Sequence, residues 1–252
     1  MAENTSLSTV LTNSLAEVSA ALPKDFNTTR FVQNCIALLN ENKGLQDFAK
    51  ANGTAQIKAG CMRAAYLGLD FMSKEAYLVT FGSQLNFMPS YTGKIKLAKK
   101  YSTRAVKDIY AKLVREGDDF TEEIINGEPS ISFKAKPFNN GAIIGAFAVC
   151  LFEDGGMLYD TMSLADLENT RKKSKQANGM AWKDFEGEMY KKTVLHRLTK
   201  QIELDFDSVE QREIFDADVE IETDTRNIVK NEVSENANTT EFEEAGTFRE
   251  VE

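Results

Sequence analysis

The chain has little of what most catalytic and metal-binding proteins display. Its 252 residues include one histidine, one tryptophan, four prolines and three cysteines. Cys35, Cys61 and Cys150 are far apart, form no CxxC spacing, and each sits in an apolar run. That spacing argues against a structural zinc site and predicts buried free thiols in a reducing cytosol. No GxxxxGK[ST] occurs, because Ile95 follows Gly93-Lys94 and no glycine precedes them by five residues. A phosphate-cradling loop is therefore unsupported, and ATP use is not indicated. GxGxxG and GxSxG are missing as well. There is no run of ~18 or more apolar residues, so no transmembrane helix is predicted. The first 25 residues lack the basic start and compact apolar stretch of a secretory signal. A metal-dependent nuclease would gather carboxylates around Mg²⁺. Here they fall in acidic loops, Asp118-Asp119 and Glu122-Glu123, or towards the C-terminus.

What is present is an asymmetry of charge. The overall balance of -9 hides two opposed parts. Residues 1–200 hold 26 Lys and Arg against 22 Asp and Glu, whereas residues 201–252 hold 4 against 17. A mildly basic body carries a strongly acidic tail, which argues more about partners than the bulk charge does. With 42% hydrophobic residues the chain can build one sizeable core.

The periodicity divides the chain into three parts. In residues 1–25, Leu7, Val10, Leu11, Leu15 and Val18 recur at helical spacing with no core partner in view. They predict a helix that docks on a neighbouring subunit, although a frayed terminus reads the same way. Residues 26–205 read as the working core. Asp25 or Asn27 can cap a helix running to about Asn40, and Asn52-Gly53-Thr54 opens another that Gly68 ends in the left-handed conformation. Ala76–Phe81 and Gln84–Met88 alternate around Gly82-Ser83 as a hairpin. After a helix at Gly93–Tyr101 the period changes to two. Turn signals at Asn126-Gly127, Asn139-Asn140-Gly141 and Asp154-Gly155-Gly156 separate short strands, and Ala142–Phe152 reads as central in a sheet. Ser163 with Asp166 starts a further helix. A last one runs from about Trp182 to Ile202. The fold class is therefore α+β: largely antiparallel sheet and hairpins flanked by helices. Residues 206–252, dominated by Asp and Glu, predict a mostly disordered acidic tail.

Cationic segments stand out against this mild background. The first carries Lys94, Lys96, Lys99, Lys100 and Arg104, with Tyr91 and Tyr101 beside it and no Asp or Glu from Gln84 to Arg104. Lys96, Lys99 and Lys100 share one helical face. The second is Arg171, Lys172, Lys173 and Lys175, near Trp182. The third is Lys191, Lys192, Arg197 and Lys200, with Tyr190 and His196. Positive neighbours oppose protonation of His196, which suits a neutral polar contact better than a base. Lysine with interleaved aromatics fits a sugar-phosphate backbone with bases stacked alongside. An ordinary solvated helix face has the same pattern, and a tryptophan such as Trp182 more commonly serves a core or subunit contact.

Several of these segments together resemble the RecT family of phage single-strand annealing proteins. They are Ala59–Asp70 with Leu67-Gly68-Leu69, Ala76-Tyr77-Leu78, Pro89–Lys100, Met189-Tyr190-Lys191-Lys192-Thr193, and Arg197-Leu198 with Lys200. The joint match covers about residues 28–205. Where the family generally has a second arginine, this chain has His196. The resemblance implies an ATP-independent recombinase without a covalent catalytic site or required cofactor. Such a protein coats single-stranded DNA as an oligomeric ring or helical filament and anneals it to its complement. It implies a phage or prophage protein of the bacterial cytoplasm, acting beside an exonuclease and the host single-strand-binding protein. It also implies backbone contacts for Lys94, Lys96, Lys99, Lys100 and Arg104, and for Lys191, Lys192, Arg197 and Lys200. Arg171, Lys172, Lys173 and Lys175 are added on charge alone. A metal-dependent nuclease, or an adaptor working through its acidic tail, is the alternative.

Overall fold

Local capping chemistry sets the helix boundaries. In the computed structural model, which describes residues 7–125, 127–173, 177 and 180–216, Asn27 accepts a hydrogen bond from Arg30 N at 2.9 Å. That bond satisfies one of the amides left over at the start of α2 (Thr28–Glu41). Asn42 ends α2 and caps α3 (Lys43–Asn52) by accepting from Leu45 N at 3.1 Å. The helix expected to run to about Asn40 ends at Glu41, and the separate α3 is an addition to the sequence pattern. Gly68, at φ 66°, closes α4 (Ala55–Leu67) in the left-handed conformation as expected.

Ahead of these lies α1 (Leu7–Glu17). Its stripe is covered within the chain: Leu7, Leu11 and Leu15 are buried in the main core, and α1 packs on α2 and α4. The expectation of a neighbouring subunit rested on the lack of an internal partner, and that ground is removed.

The hairpin β1 (Ala76–Phe81) and β2 (Gln84–Pro89) pairs antiparallel from Ala76↔Pro89 to Phe81↔Gln84. It leads directly into α5 (Tyr91–Tyr101), whose N-cap Ser90 accepts from Gly93 N at 3.1 Å. Gly93 is required there. A Cβ on it would stand 2.0 Å from the carbonyl oxygen of Glu75, so α5 can press on this backbone only without a side chain.

The strands β3 (Val106–Arg115), β6 (Ile143–Phe152) and β7 (Met157–Ser163) form an antiparallel sheet in the order β3-β6-β7. The apolar β6 is its central strand, as its composition predicts. A separate hairpin, β4 (Asp119–Ile125) with β5 (Glu128–Lys134), leaves the sheet between β3 and β6. One face of the sheet, with Ile109, Ala146, Ala148 and Cys150, joins the main core beneath the helices. The other face carries Val114, Phe147 and Val149, partly covered by Phe120, Ile131 and Phe133 of the hairpin. Ser163 and Asp166 form a reciprocal capping box at the start of α6 (Leu164–Lys172). Two helices follow, α7 (Met180–Asp184) and α8 (Glu186–Thr199).

Past α8 order continues through residue 216, into the segment read as mostly disordered. Phe206 packs against Tyr101 and Phe215 with ring centroids 4.9 and 5.4 Å away. Residues 209–216 are helical. Gln211, 1% exposed, donates to Tyr66 O at 2.8 Å and to Tyr101 Oη at 3.2 Å. Apolar burial and these two bonds outweigh the acidic composition of the segment. The rest of the predicted acidic tail, from residue 217, lies outside the described residues. The described residues all fall within one compact unit.

Candidate nucleic-acid interface

The three predicted cationic segments come together around α8. This helix packs against α5, α6, α7 and all three strands of the main sheet. Tyr190, Val194, Leu195, Leu198 and Thr199 form its buried side. The spacing of that stripe leaves Lys192 and Lys200 exposed and His196 half-buried. On α5 the buried side is Gly93, Lys94, Leu97, Ala98 and Tyr101, which leaves Tyr91, Lys96, Lys99 and Lys100 exposed.

The side chains of this region differ in how much charge they offer to solvent. Lys94 is 2% exposed and lies on the buried stripe, out of reach of a phosphate. Its place was readable from the spacing to Leu97, Ala98 and Tyr101, and its expected role as a backbone contact is corrected. Lys96 donates to Glu75 Oε2 at 2.7 Å and to Gly68 O at 2.8 Å, tying α5 to the end of α4. Lys99 stands 3.3 Å from Asp108 Oδ1, with both side chains about half-exposed. Lys100 lies over the Tyr101 ring, 4.8 Å from its centroid. Arg104 makes a forked contact to Asp154, with distances of 2.8 to 3.0 Å, and covers the Phe152 ring at 4.0 Å. Hydrogen bonds from Gly156 N and from Arg104 hold the Asp154 carboxyl below the usual range.

The second segment is partly structural. Arg171 bonds Glu186 Oε1 at 3.0 Å and Ala177 O at 3.0 Å, and lies 5.4 Å from the Trp182 ring. Trp182 itself is 5% exposed and meets Tyr190 edge-on at 5.9 Å, so a base cannot stack on it. Of the two readings of this residue, base stacking is excluded and the commoner one, a core contact, holds. The Tyr190 hydroxyl is bonded to Glu168, and burial together with this bond raises its pKa. Lys172 and Lys173 are exposed. Lys175 lies outside the described residues.

In the third segment Lys191 pairs with Glu188 at 2.6 Å. Arg197 Nε stands 3.0 Å from Asp160 Oδ2, though without the alignment of a hydrogen bond. Burial raises the pKa of Asp160, against the lowering effect of Arg197. Among the described residues no three His, Cys, Asp or Glu side chains are grouped as metal ligands. No described helix is long and apolar enough to cross a membrane. The three cysteines are buried and free, as predicted. Burial pushes the Cys150 thiol up to about 11.

One cationic and aromatic element was missed. The end of β5 and the β5–β6 loop carry Lys134, Lys136 and Phe138, all exposed. Two lysines are too few to stand out by density, and Asn139-Asn140-Gly141 drew notice only as a turn. The available signal was the lack of any Asp or Glu from Pro129 to Phe152.

The family model for the RecT family matches residues 29–233. The match reaches beyond the resemblance at residues 28–205 and takes in part of the acidic segment. Protein RecT of Escherichia coli (strain K12) is 27% identical over 198 residues, covering 74% of this chain and 70% of that protein. With a family match over residues 29–233, most of its length, the chain belongs to the RecT family of single-strand annealing, DNA-binding recombination proteins.

Proposed function

We propose that this chain binds single-stranded DNA and anneals it to a complementary strand without ATP or another nucleotide, working as an oligomer in a ring or helical filament. The observation that carries the reading is the family match over residues 29–233. The adjacency of α5 and α8 supports it, since it brings exposed Lys99 and Lys100 to the helix that bears Lys192 and Lys200. Annealing requires no covalent chemistry. Pairing and stacking provide about 1.4 kcal/mol per base step. The protein has to offset phosphate repulsion, hold a strand free of self-structure and leave its pairing edges open. Lysines acting on phosphates meet the first need without reading sequence. Neighbouring subunits that extend the groove make binding cooperative.

The same reading includes an exonuclease that exposes the strand and a single-strand-binding protein that shares it. The test is annealing of complementary oligonucleotides, one carrying a dye and the other a quencher, in buffer free of nucleotide. Annealing well above the spontaneous rate is expected, and a strict requirement for ATP would overturn the proposal.

A further inference from the structure

The loop between β5 and β6 displays the most exposed large apolar side chain among the described residues. Phe138 is 100% exposed. Its backbone takes the left-handed conformation, at φ 54°, which a bulky residue rarely adopts. The surrounding hydrogen bonds impose this geometry. Asp118 Oδ1 accepts from Lys136 N at 2.9 Å and from the Asn139 side-chain amide at 2.8 Å. Asn139 also donates to Glu116 O at 3.0 Å and accepts from Gly141 N at 2.8 Å. Arg115 Nη1 donates to Gly141 O at 2.7 Å. These bonds fix both flanks of Phe138, and Pro137 restricts the residue before it. The ring is thus held out in water by a built turn.

The loop's own charged side chains have one sign, although the hairpin sets Asp119 across from Lys134 and Asp118 bonds the Lys136 amide. Lys134 and Lys136 precede Phe138, both exposed, and no carboxylate occurs in sequence from Pro129 to Phe152. We propose that Phe138 is a stacking platform for an unpaired base of single-stranded DNA, with Lys134 and Lys136 on the adjoining phosphates. The assignment rests on the annealing function proposed above and adds a contact point outside the α5 and α8 faces. A ring face accepts any base, and lysines accept any phosphate, so the platform holds a strand without selecting its sequence. A second copy of the chain is the competing occupant. The cavity of about 280 Å³ over the sheet, lined by Tyr110, Phe133, Phe147 and Met157, has room for a phenyl ring. It also carries Lys112, whose charge would meet Lys134 and Lys136 of an incoming copy, so the charges favour DNA.

Two variants test the platform. Phe138→Asn suits the left-handed backbone, so its thermal midpoint should match or exceed the parent's. Its affinity for a short oligo(dT) should fall about tenfold, the loss expected for one stacked base. Stacking releases no counterion, so the slope of log K against log salt should stay as in the parent. Phe138→Trp places a reporter in the turn, and the native Trp182 is buried enough to give a constant background. Emission from the introduced indole should be quenched by oligo(dT) and should not respond to protein concentration in the absence of DNA.

If the parent binds oligo(dT) and Phe138→Asn binds it equally well, the platform is wrong while the annealing function stands. If the indole emission shifts with protein concentration and ignores the oligonucleotide, the ring is a contact between copies and the proposal is overturned. If the parent itself does not bind oligo(dT), the annealing function and the platform fall together.

Discussion

Helix α5 and the β5–β6 loop carry the same kinds of residue and use them differently. On α5, Lys94 is buried, Lys96 is held by Glu75 and Gly68 O, Lys99 faces Asp108, and Lys100 rests on the Tyr101 ring. At the end of β5 and in the loop, Lys134, Lys136 and Phe138 are exposed; Asp119 lies across the hairpin from Lys134, and Asp118 takes up a backbone amide and an asparagine at the turn. Much of the first set of charges holds the fold together, whereas the second stands exposed at the surface. Lysine density along a sequence is therefore a poor measure of cationic surface. What decides is how many carboxylates the fold returns to each lysine.

The largest effect that tests this contrast is at Lys94. Its aliphatic stem fills space beside Leu97 and Ala98 on the buried side of α5. Lys94→Ala should destabilise the protein by about 2–4 kcal/mol in urea or thermal denaturation, as truncation in a packed core does. Any loss of DNA affinity should follow the loss of folded protein. Normal stability with a reduced salt slope would return Lys94 to the groove.

A smaller effect separates Lys96 from Lys100. Lys96→Ala removes two bonds that tie α5 to the end of α4, one of them to a carboxylate. At half exposure the loss should be about 1 kcal/mol of stability. Lys100→Ala removes only a surface contact with a ring and should leave stability within about 0.5 kcal/mol. If Lys100 meets a phosphate, its loss should lower the salt slope for single strands by about 0.7. Equal effects of the two substitutions on both readouts would abolish the distinction between structural and offered lysines on this helix.

The legible parts of the chain were those whose causes are local. Asn27, Gly68 and the Ser163–Asp166 pair each act within a few residues, and their helix ends could be read directly. The apolar β6 announced its central place in the same way. Helix α3 was hidden because Asn42 ends one helix and begins the next, which leaves almost no break in the pattern. The partner of α1 and the ordering of residues 206–216 were not legible. They depend on long-range packing, such as Gln211 reaching Tyr66 and Tyr101. In the candidate site the gathering of three basic segments was anticipated from charge and resemblance. The burial of Trp182 was the commoner of its two readings; that of Lys94 was not anticipated, although Lys94 shares helical spacing with Leu97 and Tyr101.

The smallest effect sharpens the other side of the contrast, the turn that presents Phe138. Hydrogen bonds to Asp118, from the Asn139 side chain first and then from Lys136 N and Arg115 N, lower its pKa below the ordinary 3.8. These donors favour the ionised form. A carboxyl whose folded pKa is depressed adds stability that is present above the unfolded value and lost as pH falls through the folded one. The window therefore lies below about pH 4, and the sign is loss on acidification. Asp118→Asn keeps the shape but sets an amide N–H₂ among groups that are themselves donors. At neutral pH the variant should melt slightly below the parent, and the two melting points should converge as pH falls below 3.8. In the Phe138→Trp background, the same acidification should loosen the turn and lower the fluorescence anisotropy of the introduced indole. If the gap in melting point stays constant from pH 7 down to pH 3, the ionised carboxylate does not hold the turn, and the display of Phe138 must come from the backbone alone.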